Sequence, residues 1–291
     1  MDDRAFHFRD IKGQKTVEGG PLVSVITMVL NGVKYLEPCI ESILSQSYAY
    51  IEHVVVDGDS SDGTVEMLAS YATRYPHRIT FISEPDRGSG DAWNKGLRIA
   101  KGEILGWVGA DDTYEPDAVE NVVNFFKSNP EADFVYGSLN YIDNKGEITR
   151  TYQAKDTSPE ELVNDYCAVP TLAAFYKRKV IETVGGFDDL GNDLDFFIRV
   201  AKAFRMHRID RVLSNYRIHE GSQNTGSNVD IRIMWKREDC LVSRRHGGRF
   251  FSGYCKRYYR LLLTERLRPI LGPTYRLVKR SIRKMRLIRN H

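Results

Sequence analysis

The sequence predicts an α/β fold, in which a mainly parallel central sheet carries helices on both of its faces. Short apolar runs rich in β-branched residues alternate with segments of helical periodicity, and loops of Asp, Asn and Gly follow the apolar runs. In such a sheet, functional side chains gather at the carboxyl ends of the strands. The composition, with 42% hydrophobic and 28% charged residues, is that of a globular protein and excludes a collagenous or disordered chain.

Each predicted element follows from its local pattern. The first strand, 22–30, is short, rich in β-branched residues and closed by Asn31-Gly32. The first helix, 35–45, carries Leu36, Ile40 and Ile43 at helical spacing. The same two patterns predict, in order, a strand over 51–56, a helix over 64–75, a strand over 79–82, a helix over 91–100 and a strand over 103–108.

Acidic and amide side chains follow four successive predicted strands. They are Asn31, Asp57 with Asp59, Glu84 with Asp86, and Asp111 with Asp112. Such residues are common in loops, which explains any one position simply. Four in succession are harder to explain in this way, because clustered carboxylates repel one another unless a cation or a substrate offsets their charge.

The loops lack the common motifs for nucleotide phosphates. The pattern G-x-x-x-x-G-K-[ST] is absent, and the glycines at 88 and 90 do not complete G-x-G-x-x-G. Asp111 and Asp112 instead follow a buried strand directly. One carboxylate there could bind a hard divalent cation while the other binds a ribose hydroxyl.

Five segments, taken in order, resemble the inverting glycosyltransferases of family 2, which have the GT-A fold. The segments are SVIT at 24–27, VDGDSSDGT at 56–64, EPDRG at 84–88, DAWNKG at 91–96 and GADD at 109–112. The resemblance covers 21–223 and implies transfer of a sugar from a nucleotide diphosphate sugar, with UDP favoured, in the synthesis of cell-surface polysaccharide. Ala110 stands where the family often has the first acid of Asp-x-Asp.

The resemblance also implies roles for individual residues. Asp57 would contact the nucleobase, Asp91 the nucleotide and Asp111 the ribose. Asp112 and His219 would bind Mn²⁺ or Mg²⁺ on the diphosphate, where the metal offsets the charge of the leaving group. Further contacts with the donor are expected from Thr27, Asn31, Asp59, Asp86, Gly88, Lys95 and Arg217.

Inversion also requires a base that deprotonates the acceptor hydroxyl. By the resemblance this base is Asp193, with Asp195, Asp188 and Asp189 as alternatives. Asp193 and Asp195 open a predicted helix, so both could also be favourable charges at a helix N-terminus. The segment 136–143 and Pro170-Thr171 are expected to border the acceptor pocket.

The charge distribution divides the chain. From Arg244 to His291 there are 15 Lys/Arg and one acid, a net charge of +14, and the remainder carries −11. The predicted organisation is a lead-in over 1–20, a glycosyltransferase domain over 21–223 with halves 21–113 and 114–223, and a basic helical extension over 224–291.

The extension has an amphipathic pattern from Tyr275 onward, with basic residues on one face. This pattern fits an anionic membrane surface. A helix docked on the acidic body and a solvated tail are the alternatives. Nucleic acid is not expected as a partner, because no motif for its recognition accompanies the charge.

The sequence further predicts a cytoplasmic protein, peripheral on the cytosolic face of the membrane. Its longest apolar run, 22–30, is too short to cross a bilayer, and the first twenty residues do not resemble a secretory signal. The expected acceptor is lipid-linked or an oligosaccharide. The four cysteines fit no metal or disulfide pattern and are predicted to be reduced thiols: Cys39, Cys167, Cys240 and Cys255.

Two other classes of protein remain as alternatives. A nucleotidyltransferase would carry a Gly-rich basic loop after its first strand, where this chain has 28–32, MVLNG. A non-catalytic module that binds sugar or nucleotide would lack the metal-binding acid or the base, yet Asp112 and Asp193 are both present.

Overall fold

The computed structural model describes residues 20–188, 191–220 and 229–267. The chain forms two compact units. Unit 1 is Met1–Leu162 with Cys167–Thr225, and unit 2 is Val163–Tyr166 with Gly226–His291. Residues 1–19 of the predicted lead-in, the predicted boundary after 223 and the amphipathic segment from Tyr275 lie outside the described residues.

A nine-stranded mixed sheet occupies unit 1 within the described residues. Its strands are β1 Val23–Val29, β2 Ile51–Asp57, β3 Ile79–Ser83, β4 Ile104–Trp107, β5 Thr113–Tyr114, β6 Phe134–Ile142, β7 Ile148–Tyr152, β8 Ala174–Lys177 and β9 Met206–Arg217. The order is β3-β2-β1-β4-β8-β6-β9-β5, with β7 also paired to β6.

Helices follow several of these strands along the chain, and the last two lie beyond β9. They are α1 Val33–Leu44, α2 Thr64–Arg74, α3 Ser89–Ile99, α4 Ala118–Ser128, α5 Pro159–Asn164, α6 Arg178–Val184, α7 Asp193–Ala203, α8 Val229–Arg245 and α9 Gly253–Leu262. The predicted strands and helices up to residue 108 all appear in the structure, with ends that move by a few residues.

The strands β3, β2, β1 and β4 are parallel, as the alternating pattern predicts. The second half of the sheet departs from a parallel arrangement, because β8 is antiparallel to both β4 and β6, while β9 runs parallel to β6. These pairings join segments distant in sequence, which local patterns do not reveal.

Burial on both faces explains the apolar strands. Every residue of β2 is buried, and Leu36, Ile40 and Leu68 from α1 and α2 join one core cluster with strands β1 to β3. A Cβ atom at Gly96 would lie 2.5 Å from Cγ2 of Ile26, so glycine lets α3 pack closely on β1. Each fully buried side chain of this size stabilises the fold by about 1.5–3 kcal/mol.

Unit 2 contains α8, α9 and the loop that joins them. Cys240 and Cys255, one on each helix, form a disulfide bond, which corrects the prediction of four reduced thiols. The helix–loop–helix turn brings the two Cα atoms to 4.6 Å, although 15 residues separate them in sequence. Cys39 and Cys167 are thiols and not disulfide partners, as predicted. None of the described helices is both long and apolar enough to span a membrane.

Candidate active site

The carboxyl ends of β1, β2 and β3 meet at one edge of the sheet. In the strand register, Val29 lies beside Asp57, and Asp57 lies beside Ser83. The ends of the three strands that lead to Asn31, Asp57 and Glu84 are therefore adjacent.

Asp57 ends β2 with its carboxylate buried. Its Oδ2 accepts hydrogen bonds from the N–H groups of Asp59 and Ser60 at 3.1 and 2.9 Å, and from the hydroxyl of Ser83 at 2.7 Å. Asp59 has a φ of 72°, in the left-handed region, which turns the chain so that these N–H groups point back. Oδ1 is buried and has no partner among the described residues. Because a buried acceptor without a partner costs free energy, this oxygen suits a donor group of a ligand.

The loops after β1 and β2 hold each other in place. The N–H of Asn31 donates to Oγ of Ser60 at 2.7 Å, and Oδ1 of Asn31 accepts from the N–H of Ser61 at 3.0 Å. Asn31 has a φ of 51°. The side chain of Asn31 therefore shapes the loop around Asp57.

The loop after β3 contributes Asp86. Its Oδ1 accepts from the N–H of Gly88 at 2.8 Å. Its Oδ2 lies over Gly58, where a Cβ atom would approach it to 2.6 Å. Glycine at this position therefore allows the carboxylate of Asp86 to lie directly beside the loop that follows Asp57.

Lys95 and Asp91 form an ion-paired group on the first turns of α3. Nζ of Lys95 lies 3.4 Å from Oδ2 of Asp91 and 2.9 Å from Oε1 of Glu84. Asp91 also accepts from the N–H and guanidinium of Arg87, each at 3.2 Å. Burial raises the pKa of Asp91, but the hydrogen bonds from Arg87 and the charge of Lys95 outweigh it, so the net shift is downward.

Asp112 follows β4 and is 2% exposed. Its Oδ1 accepts from the backbone N–H of Arg217 at 2.7 Å, across 105 residues of sequence. A Cβ atom at Gly109 would lie 2.4 Å from Oδ2 of Asp112 and 3.0 Å from Oδ1 of Asp111, so both carboxylates converge over this glycine. Burial raises the pKa of Asp112 well above its ordinary value, and the charge of Asp111 raises it further.

The end of β9 completes this cluster. Nε2 of His219 lies 3.0 Å from Oδ2 of Asp111, and Nε of Arg217 donates to the backbone carbonyl of Asp111 at 2.8 Å. The ring of Tyr35 packs against both, 4.6 Å from the His219 ring and 5.1 Å from the guanidinium of Arg217. The short strand β5, which follows Asp112, pairs antiparallel with β9 and so brings these side chains together.

The cluster suits a divalent cation that completes its coordination with a ligand. No group of three or more His, Cys, Asp or Glu side chains within the described ranges is arranged to hold a metal alone. Carboxylate oxygens are the preferred ligands of Mg²⁺, which binds through one or two carboxylates together with substrate phosphates. Asp111 and Asp112, with His219 beside them, therefore fit such an ion.

Asp193 and Asp195 lie in different surroundings at the start of α7. Asp193 is half-buried, and its Oδ2 accepts from the hydroxyl of Thr171 at 2.6 Å. Asp195 is 1% exposed and forms an ion pair with Arg199 at 2.8 Å. Arg199 in turn donates to backbone carbonyls of the segment before the helix, including that of Gly186 at 2.7 Å. Asp195 thus anchors the fold locally.

Asp188, another of the acids considered for the base, lies in the turn that precedes α7. Oδ1 of Asp188 accepts from the N–H of Asn192 at 3.3 Å, within the turn before the helix. Asp189 lies outside the described residues.

Helix α3 packs closely against the segment before α7. The side chain of Asn94 accepts from the N–H of Phe187 at 3.0 Å and donates to its carbonyl at 2.9 Å. A Cβ atom at Gly90 would lie 2.0 Å from the carbonyl oxygen of Asp188, so only glycine fits there. The start of α3, with Asp91, therefore lies next to the turn that leads to Asp193.

Thr27 is placed away from this edge. Its side chain is 0% exposed, with Oγ1 2.9 Å from Nε2 of the buried His53. The structure therefore does not bring the Thr27 side chain to the site, unlike the other predicted residues at the strand ends. Sequence reasoning missed Ser83 as a partner of Asp57, although the matching ends of β2 and β3 could have indicated it.

The sequence matches the family model of glycosyl transferase family 2 over residues 24–185. The chondroitin synthase of Escherichia coli is 29% identical over 220 residues, which are 75% of this chain and 32% of that protein. A PGL/p-HBAD biosynthesis glycosyltransferase of Mycobacterium bovis is 30% identical over 211 residues, 70% of this chain and 80% of that protein. An uncharacterized glycosyltransferase of Rickettsia felis is 29% identical, and the chain spans 38% of its length.

Two solved structures share the fold. Staphylococcus aureus TarS 1–349 in complex with UDP-GlcNAc has a TM-score of 0.60 and 16% identity, over 84% of this chain and 73% of that one. The mannosyltransferase PcManGT of Pyrobaculum calidifontis, in complex with GDP-Man and Mn²⁺, has a TM-score of 0.61 and 22% identity, over 89% and 74%. The chain therefore belongs to glycosyltransferase family 2 and has the GT-A fold.

Proposed function

We propose that the enzyme transfers a sugar from a nucleotide diphosphate sugar, with inversion, to a lipid-linked or polysaccharide acceptor in cell-surface glycan synthesis. The observation that carries this proposal is the convergence of the Asp111 and Asp112 carboxylates over Gly109, with His219 in contact with Asp111. The TarS complex contains UDP-GlcNAc, and the mannosyltransferase complex contains GDP-Man, which supports a nucleotide-sugar donor. The resemblance to chondroitin synthase and to the Mycobacterium bovis enzyme supports glycan synthesis.

A UDP-sugar is the donor that we favour. The unpartnered Oδ1 of Asp57 would accept a hydrogen bond from a ring N–H of the base, and Asp111 would accept one from the ribose. The adjoining loops would enclose the rest of the donor with Asn31, Asp59, Asp86, Gly88, Asp91, Lys95 and Arg217.

Asp112 and His219 would hold Mn²⁺ or Mg²⁺, with Asp111 beside them. The metal, when bound, offsets the negative charge that develops on the diphosphate leaving group. The mannosyltransferase complex with Mn²⁺ supports this assignment. The backbone N–H of Arg217 fixes the carboxylate of Asp112 so that it is preorganised for this role.

Asp193 would act as the base. It takes the proton of the acceptor hydroxyl while the acceptor oxygen forms its bond to the anomeric carbon. The bond from that carbon to the diphosphate breaks at the same time, and the nucleotide diphosphate leaves with the bonding electrons. The hydroxyl of Thr171 would hold Oδ2 of Asp193 and so orient the carboxylate that takes the proton.

We further propose that residues 21–223 carry this activity, with the donor on 21–113 and the acceptor on 114–223. Residues 224–291 would bind an anionic membrane surface on its cytosolic side. The net charge of +14 from Arg244 to His291 supports such a partner. Disulfides are rare in the cytosol, so thiol alkylation of cell extracts tests this location. A Cys240–Cys255 bond that is intact in the cell and resists alkylation would argue against it.

Thermal unfolding in the presence of different donors tests the donor site. We expect one of the UDP-, GDP-, dTDP- and CMP-sugars to stabilise the protein in a Mn²⁺-dependent manner. A ligand at 100 times its Kd adds about 2.7 kcal/mol to the unfolding free energy. Asp112→Ala should abolish the shift and the transfer activity, whereas Asp210→Ala, at an exposed ion-paired site, should leave both unchanged. Full activity of Asp112→Ala would overturn the assignment.

A further inference from the structure

The loop between α8 and α9, residues 246–252, has a fixed conformation. The N–H of Gly248 donates to the carbonyl of Ser243 at 2.7 Å, and the hydroxyl of Ser243 donates to Oγ of Ser252 at 3.1 Å. Ser252 also caps α9 by accepting from the N–H of Cys255. The disulfide joins the two helices just beyond these bonds. These hydrogen bonds and the disulfide therefore hold the loop, residues 246–252, in place between the two helices.

Two adjacent aromatic side chains stand at the tip. Phe250 is 56% exposed and Phe251 is 58% exposed. Their ring centroids lie 4.9 Å apart in an edge-to-face arrangement, and the guanidinium of Arg244 lies 4.7 Å from the ring of Phe250. A pair of large apolar side chains held in water by a braced loop is typical of an interaction surface.

The surroundings of the tip are strongly basic. Residues 244–260 contain six Lys/Arg and no Asp or Glu. All six of these basic residues are exposed: Arg244, Arg245, Arg249, Lys256, Arg257 and Arg260. Aromatic side chains surrounded by arginine and lysine match the boundary between lipid headgroups and acyl chains, where rings insert and cations contact anionic headgroups.

We propose that the α8–α9 loop is a membrane-inserting element, in which Phe250 and Phe251 enter the headgroup boundary and the surrounding basic residues bind anionic lipid. This inference rests on the membrane association proposed above and assigns it to named residues of unit 2. The charge complementarity favours lipid over a second copy of the chain, because two copies joined at this surface would bring like charges together.

Vesicle binding of the full chain tests the proposal. The probe is a vesicle of equal parts phosphatidylcholine and phosphatidylglycerol, with pure phosphatidylcholine for comparison. We expect the double substitution of Phe250→Ala and Phe251→Ala to lower the partition coefficient at least about tenfold, because both rings lose burial in the boundary. We expect Arg244→Glu or Lys256→Glu to lower the partition coefficient at least about fivefold in low salt. Each basic residue near an anionic surface contributes about 1 kcal/mol, which is about fivefold in binding.

Two variants serve as controls. Phe250→Trp with Phe251→Trp should retain binding, and its fluorescence should shift to shorter wavelength on vesicles. Ile148→Ala removes a side chain that is 61% exposed in unit 1 and should bind vesicles as the unmodified protein does. Every variant keeps the same basic residues after α9, so a difference in vesicle binding between the double alanine variant and the unmodified protein reports on the two rings. Equal binding by these two proteins would overturn the proposal.

Two more measurements separate the possible outcomes. If sedimentation velocity shows a dimer that the double alanine variant loses while vesicle binding is unchanged, the loop is a self-association surface and the proposal is wrong. Donor-dependent thermal shifts in the same preparations should be identical in the double alanine variant and the unmodified protein. A failure of donor binding in the unmodified protein would overturn the transferase site and leave the vesicle result standing.

Discussion

Thr171 donates a hydrogen bond from its hydroxyl to Oδ2 of Asp193 at 2.6 Å, across 22 residues of sequence. Thr171 begins a short 3₁₀ turn before β8, and Asp193 begins α7. The bond helps to fix the direction of the Asp193 carboxylate at the start of the helix. A base acts efficiently only when it is held in reach of the proton that it takes.

Thr171→Val should therefore lower kcat about tenfold or more, because a loosely held base loses part of the contribution that general base catalysis makes. The KM for the nucleotide sugar should stay unchanged, since the bond does not touch the predicted donor residues. Thr171→Ser keeps the hydroxyl and should restore most of the rate. Steady-state kinetics of the two variants check this, and an equal loss of rate in both would mean that only packing at this position matters.

Asp193→Asn and Asp195→Asn should fail in different ways. Asp193→Asn should keep its stability and its affinity for the donor while the rate of transfer collapses. Asp195→Asn removes the charged partner of Arg199 and should lower the free energy of unfolding by about 2 kcal/mol. Denaturant unfolding together with isothermal titration of the donor distinguishes the two. Loss of donor binding in Asp193→Asn would reassign its role.

Ser83 should determine how tightly the donor binds at Asp57, where we propose that its base is held. Its hydroxyl donates the shortest of the three hydrogen bonds to Oδ2 of Asp57. Ser83→Ala should weaken donor binding about fivefold, because one hydrogen bond to a charged group contributes about 1.5 kcal/mol or less when two others remain. Ser83→Thr should bind as the unmodified protein does. Unchanged affinity in Ser83→Ala would argue that Asp57 is held well enough by backbone groups alone.

The order of strands and helices in the first half of the sheet could be predicted from the sequence. Short apolar runs and segments of helical periodicity alternate there along the chain. The ends of β1, β2 and β3 are adjacent for the same reason. The orientation of Thr27 was not readable, since a strand buried on both faces lacks the alternation that distinguishes its two sides. The resemblance alone indicated His219, whose contact with Asp111 depends on a strand pairing over a hundred residues away. The Cys240–Cys255 bond depends on the turn between two helices, which the spacing did not reveal.

His53 should make the stability of the protein depend on pH. It is completely buried on β2, beside Thr27 and near Arg78, and burial lowers its pKa to about 3, with the charge of Arg78 acting in the same direction. A histidine with a lowered pKa is neutral in the folded protein, so its contribution to stability is present above the pKa of the unfolded chain, about 6.5, and is lost as the pH falls toward 3. Between pH 7 and pH 5 this loss amounts to about 2 kcal/mol.

Urea unfolding at the two pH values measures the effect. Glutamine cannot be protonated, so the His53→Gln variant should lose less unfolding free energy between pH 7 and pH 5 than the unmodified protein does. The difference between the two losses should be about 2 kcal/mol, whatever the absolute stability of the variant. His77→Gln, at an exposed position on the loop before β3, provides a matched control and should keep the pH dependence of the unmodified protein. An unaltered pH dependence in His53→Gln would show that other groups account for the acid sensitivity. A reduced dependence would identify His53 as a buried residue that must remain neutral for the strand carrying Asp57 to stay folded.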